Sequence, residues 1–226
     1  MYSGFLNIHH QNTTFGQEEN SSNSTIAIPT TISKEAQNTL VNITTQMPEF
    51  VPPKPDDLKG WGELNKQISA MSISQSQSLV DSFEANITSA KLGNVSVVDI
   101  KPKGWVDQGK ALIYVHGGGY TILGANSTLN NSVPISNATG LRVISIDYSL
   151  APFSKWNETT SEVTSVIKAL KDQGYSLENI AMYGDSAGGG LVASSVLKMR
   201  EEGIGLPAAL VLWSPWTDVS GAGDTY

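Results

Sequence analysis

The chain has 226 residues, 39% hydrophobic and 15% charged, which is globular composition and long enough for one main domain with a substantial buried core. Its formal charge of −7, from 14 basic and 21 acidic residues with no cluster of lysines and arginines, argues against nucleic acid or an anionic membrane as partner. There is no cysteine, so disulfides, thiolate metal sites and a cysteine nucleophile are excluded.

Met1 to Gln11 lacks a basic segment followed by an apolar one, and no 18-residue apolar run occurs. The expectation is a soluble chain without a membrane span, with the cytoplasm favoured. Ten Asn-x-Ser/Thr sequons, at Asn12, Asn20, Asn23, Asn42, Asn86, Asn94, Asn126, Asn130, Asn137 and Asn157, are read on that background as a product of a chain rich in Asn, Ser and Thr.

In chain order, residues 1–25 form a tail: Asn7 to Thr25 is polar and sparse in large apolar residues. Residues 26–85 read as an N-terminal helical segment. Ser33 can cap a helix over Lys34 to Val41, and Pro48, Pro52, Pro53 and Pro55 impose an extended linker. Asp56 to Phe83 reads as one or two further helices, because the serine-rich run from Ser69 to Ser78 weakens any single one.

From residue 86 the period changes. Ile87 to Leu92, a Gly93-Asn94 turn and Val95 to Lys101 read as a hairpin. Ala111 to Val115, Arg142 to Asp147, Ile180 to Tyr183 and Ala208 to Trp213 are apolar runs of strand length, expected to be covered on both faces, with Trp213 in the core. Helices are expected between them over Ser127 to Thr139, Asn157 to Gln173 and Ala187 to Glu202, with Val163, Val166, Ile167 and Leu170 on one face of the second. This alternation predicts an open α/β sheet with parallel crossovers, whose ligands bind beyond the carboxyl ends of the strands.

Two motifs fall at those ends. Gly184-Asp185-Ser186-Ala187-Gly188 places a serine at a sharp strand-to-helix turn, which is crowded unless the residues two before and two after lack side chains. Directly after Val115, His116-Gly117-Gly118-Gly119 offers backbone N–H groups that can approach a ligand atom closely. The serine pattern alone arises by chance about one time in four at this composition, whereas both motifs at strand ends are much more specific.

Together with Asp147-Tyr148-Ser149-Leu150-Ala151-Pro152 and Ser214-Pro215-Trp216-Thr217-Asp218, these motifs resemble the hormone-sensitive-lipase-like family of α/β-hydrolases, which includes carboxylesterases and arylacetamide deacetylases. The similarity covers roughly Ile87 to Tyr226. It implies an α/β-hydrolase fold with an incomplete core over residues 86–226, the helical segment over 26–85 corresponding to the family's cap. It further implies that Ser186 is the nucleophile attacking a small-molecule carboxylic ester, with the oxyanion held by the N–H groups of Gly118, Gly119 and Ala187. His116, Gly117 and Asp185 would support the site, and no metal or other cofactor is implied.

The departures bear on activity. The family's acid and histidine follow the sixth strand, but no histidine follows His116 here, and His9 and His10 lie in the polar tail. Asp218 reads as a turn residue. Ser149 and Phe153 stand where the family has arginine and glutamate, an exchange that alters local salt bridging. The expectation is therefore an esterase lineage in a truncated chain of little turnover. The alternatives are a non-catalytic binding protein on the same fold, similar to the plant gibberellin receptors, or a remnant without function.

Overall fold

The computed structural model describes residues 28–46 and 51–220. The polar tail with His9 and His10, and most of the first sequons, lie outside them. The chain divides into two compact units, Met1–Val51 and Pro52–Tyr226. In the first, helix α1 spans Lys34–Gln46, and Ser33 caps it by accepting the Ala36 N–H at 3.2 Å.

The second unit begins with α2, Leu58–Asp81, capped by the Asp57 carboxylate, which accepts the Gly60 N–H at 2.9 Å. It is one continuous helix despite its serines. Two of their hydroxyls find acceptors that leave the helix intact: Ser76 back-bonds within it to the Ser72 carbonyl at 2.7 Å, and Ser72 donates outside it to the Ser127 carbonyl at 2.5 Å.

Strands β1 (Asn86–Leu92) and β2 (Val95–Lys101) form the hairpin, with Asn94 at φ 65 in its turn. Then come β3 (Ala111–Val115), a 3₁₀ turn over Ala125–Thr128, α3 (Leu129–Thr139) and β4 (Arg142–Ile146). The chain continues through α4 (Trp156–Asp172), β5 (Ile180–Asp185), α5 (Ala187–Glu201) and β6 (Ala209–Trp213). The strand order is β1-β2-β4-β3-β5-β6; β3 through β6 run parallel, and β2 joins β4 antiparallel.

Two apolar layers hold this sheet. On one face Val163, Val166, Ile167 and Leu170 of α4, with Leu191, Val192 and Met199 of α5, pack on Ile113, Val115, Ile144, Ile146 and Met182. On the other, Val80 and Val133 meet Val98, Ile100, Tyr114, Val143 and Tyr183. Buried on both sides, β3, β4 and β5 need the unbroken apolar runs they have.

The last strand corrects one expectation. Leu210, Val211 and Trp213 are 40%, 47% and 40% exposed, so Trp213 is not a core residue. The physical reason is position: β6 is an edge strand paired only with β5 among the described residues, and Trp213 rests edge-on against Tyr183 at 5.5 Å. No helix among the described residues is long and apolar enough to cross a membrane.

Candidate active site

Ser186 stands between β5 and α5 at φ 50 and ψ −122, a conformation that costs a residue bearing a Cβ of order 1–3 kcal/mol. Three backbone hydrogen bonds hold it there. Its N–H donates to the Trp213 carbonyl at 2.9 Å, and its carbonyl accepts the N–H groups of Trp216 at 2.8 Å and Gly190 at 3.2 Å. The side chain is left exposed.

The flanking glycines are required by contact. A Cβ on Gly184 would lie 2.6 Å from the Gly188 carbonyl oxygen and 2.8 Å from that of Val115. One on Gly188 would overlap the carbonyl oxygens of Val115 and His116, so the end of β3 presses directly on the first turn of α5. The requirement extends past the motif: a Cβ on Gly190 would overlap the Trp216 carbonyl oxygen and approach the Tyr120 hydroxyl to 2.7 Å.

The glycine loop after β3 is folded by its own backbone. Gly118, at φ 111, accepts the N–H groups of Thr121 and Ile122, each at 3.1 Å, and a side chain there would overlap the Ile122 carbonyl. The N–H groups of Gly118, Gly119 and Ala187 donate to no acceptor among the described residues. Unsatisfied backbone donors beside an exposed serine can stabilise a developing negative charge.

Asp185 links the two motifs. One of its oxygens accepts both the Tyr114 hydroxyl at 2.6 Å and the Gly117 N–H at 3.2 Å, and Asn131 donates to that hydroxyl at 2.9 Å. Burial first, and then the Asp185 charge, push the Tyr114 hydroxyl far above the usual phenol range, so it serves as a neutral donor. Sequence reasoning missed Tyr114 and Asn131. Tyr114 is hidden in an apolar run, and nothing in the spacing ties position 131 to it.

His116 is fully buried. Its Nδ1 lies 2.7 Å from the Gly117 carbonyl, which can only accept, so the proton sits on Nδ1. The ring stacks on Tyr148 at 4.2 Å, and the Tyr148 hydroxyl donates to the His116 carbonyl at 2.8 Å. Burial lowers the His116 pKa, opposed by the Gly117 carbonyl and the Asp147 and Asp185 charges. This neutral, enclosed ring makes no hydrogen bond to Ser186.

The remaining candidates are peripheral. Asp218 is exposed and accepts the Ser220 N–H at 2.8 Å and its hydroxyl at 2.6 Å, bonds that hold its carboxyl below the usual range. Ser149 donates its N–H and hydroxyl to Glu162 at 2.7 and 2.6 Å. A cleft of about 720 Å³ is lined by residues that include Gly119, Tyr120, Trp156, Leu197, and Gly190 and Trp216, whose N–H groups bond the Ser186 carbonyl; Ser186 itself does not line it. Among the described residues no group of three His, Cys, Asp or Glu side chains is placed to hold a metal ion.

A model of the alpha/beta hydrolase fold family matches residues 112–226. The chain belongs to the alpha/beta hydrolase fold family. Within it, the chain is hormone-sensitive-lipase-like: it is 27% identical to an esterase of the bacterial hormone-sensitive lipase family, with a TM-score of 0.66 over 80% of this chain and 56% of that one. An esterase/lipase from an uncultured bacterium, 23% identical with a TM-score of 0.70 over 84% of this chain and 60% of that one, shares the fold.

Among curated relatives, the chain is 30% identical over 138 residues to an acetyl-hydrolase of Streptomyces hygroscopicus, covering 59% of this chain and 46% of that protein. It is 38% identical over 109 residues to an acetyl esterase of Salmonella paratyphi B, covering 45% and 33%. This alpha/beta hydrolase chain thus spans less than half the length of the curated relatives it matches.

Proposed function

We propose that the chain is the nucleophile-bearing part of a serine carboxylic ester hydrolase acting on small-molecule esters. The observation that carries this reading is the exposed Ser186 in a strained turn, next to the N–H of Ala187, which has no acceptor among the described residues. In the proposed reaction the Ser186 Oγ attacks the ester carbonyl carbon. The carbonyl oxygen takes up the electron pair and is stabilised by the N–H groups of Gly118, Gly119 and Ala187. Collapse of that intermediate expels the alcohol and leaves an acyl group on Ser186, which water then removes.

Asp185 and His116 act as positioning residues. Asp185 fixes Gly117 through its carboxylate, and His116 fixes the same residue through the Gly117 carbonyl, so both act on the donors without touching substrate. His116 is unsuited to be the base, because its Nδ1 proton is engaged and its Nε2 is enclosed. His116 is the only histidine among the described residues, and a serine hydroxyl without a base is a weak nucleophile, so slow acylation is expected.

A fluorophosphonate probe followed by peptide mass spectrometry tests the reading. Label on Ser186, absent from Ser186→Ala, with turnover of a nitrophenyl ester reduced to what binding and the oxyanion donors supply, is the expected result. A protein that leaves Ser186 unlabelled, or labels equally after the substitution, would overturn it.

A further inference from the structure

The ten sequons are too many for the composition that was expected to explain them. The chain holds 15 asparagines, 27 serines and 17 threonines in 226 residues, so about three asparagines should have Ser or Thr two residues later by chance; ten do. The excess is not confined to the polar start. From residue 28 on there are 11 asparagines, about two of which should begin a sequon, and seven do.

The fold places these asparagines where a large hydrophilic group fits. Asn86, Asn94, Asn126, Asn130, Asn137 and Asn157 are all exposed, and none of their side-chain amides bonds to another described residue. Asn42 is exposed as well. By contrast Asn65 and Asn131, which begin no sequon, are half-buried and hydrogen-bonded through their side chains to Ser69 and Tyr114. Asn38 and Asn179 are exposed without a sequon, so exposure alone does not separate the classes. The number together with the uniform exposure does.

Local geometry agrees. Asn94 occupies the tip of the β1–β2 turn, Asn126 a 3₁₀ turn, Asn137 the last turn of α3 and Asn157 the first turn of α4. Asn86 and Asn94 bracket β1, which pairs only with β2 among the described residues and so presents an edge to which another chain could pair. A bulky sugar at each end of that strand would obstruct such pairing. None of the six belongs to the Ser186 turn, the glycine loop or the Asp185 network.

We propose that this protein is N-glycosylated at these exposed sequons, and that it is therefore made in a secretory compartment and not in the cytoplasm. The donor is a lipid-linked pyrophosphoryl oligosaccharide. The asparagine Nδ2 forms a bond to the sugar C1 and loses one proton, while the C1–oxygen bond breaks and the lipid pyrophosphate leaves with the electron pair. The Ser or Thr two residues on is the feature the transferring enzyme reads. The inference is independent of the esterase reading, and the lack of cysteine is neutral to it.

Protein isolated from the organism that makes it tests the proposal. It is digested with peptide N-glycosidase in ¹⁸O-labelled water, and the tryptic peptides are measured by mass spectrometry. Conversion of asparagine to ¹⁸O-labelled aspartate at one or more of the six positions, with faster electrophoretic migration after digestion, is the expected result. In a host that modifies the protein, substituting an occupied site, for example Asn94→Gln, removes one mobility step. Recovery of all six sequon peptides unmodified overturns the proposal.

Discussion

At the carboxyl ends of β3 and β5 the chain closes backbone on backbone around one carboxylate, Asp185, whereas at the amino ends of β3, β4 and β5 it is tied by an extended network of charged and phenolic side chains. At the first end Gly184 and Gly188 let the carbonyls of Val115 and His116 press against α5. At the second, Arg142 holds Asp99 through two bonds of 2.9 and 3.0 Å and reaches the Tyr175 hydroxyl at 3.0 Å, which in turn bonds Asp107 at 3.1 Å. Lys101 adds a 3.4 Å ion pair to Asp99. The difference shows how the fold divides its labour. At the carboxyl end Gly184 and Gly188 keep the closest backbone contacts free of side chains and Asp185 ties the loop to the turn, whereas at the opposite end a charged network joins the strands and loops.

The largest expected effect breaks the crowded end. Gly188→Ala, which drives a methyl into two carbonyl oxygens, should destabilise by more than about 4 kcal/mol or prevent folding. Gly104→Ala is the control: Gly104 has φ +70 but nothing within 4 Å of a new Cβ, so only conformational strain of about 1 kcal/mol is expected. Urea unfolding compares them, and equal costs would sink the crowding account.

The charged end is tested by Arg142→Met. Both side chains are nearly buried, so leaving Asp99 without its bidentate partner should cost about 3 kcal/mol, the low end for a broken buried pair because Lys101 remains. Replacing Asp99 by Leu in the same protein should recover most of that loss. A double variant as unstable as the single one would show that packing, not charge, dominates there.

Tyr114→Phe probes the polar link within the crowded end. It removes the donor to Asp185 and the acceptor for Asn131, for an expected loss of about 1–3 kcal/mol and slower fluorophosphonate labelling of Ser186. Undiminished labelling would mean that Asp185 holds Gly117 without help.

The pH dependence is a smaller effect. Burial depresses the His116 pKa, so the folded state binds fewer protons there than the unfolded chain. Its stability contribution is full above the unfolded value of about 6.5 and is lost as pH falls from there toward the folded value. The melting temperature of the wild type should therefore drop more steeply below that pH than the melting temperature of His116→Gln. Smallest of all, Ser76→Ala on α2 removes only a bond to its own helix and should shift stability by less than about 0.5 kcal/mol.

Sequence pattern revealed the strands and helices around the site because apolar runs and helical stripes directly record burial, as in Ala111–Val115 and the Val163–Leu170 face. It could not reveal that β6 pairs only with β5 among the described residues and leaves Leu210, Val211 and Trp213 exposed, since an apolar run says that cover is needed and not what supplies it. The split between one and two helices over α2 was hidden for another reason: serine propensity is averaged over contexts, while Ser72 here meets a specific acceptor 55 residues away. The site divided in the same way. Backbone donors betray themselves through glycine, but the Tyr114–Asp185–Gly117 link joins residues whose contact only the tertiary fold creates.

That link ends on a single oxygen atom, where a β3 side chain and the glycine loop both bond to the residue preceding Ser186. The turn and the loop are thereby made to ride together. A reacting carbonyl is sensitive to the gap between attacker and donors, a difference coordinate, and not to where either sits in the laboratory frame. Through that shared attachment a displacement of one is passed to the other, so the gap changes less than the position of either.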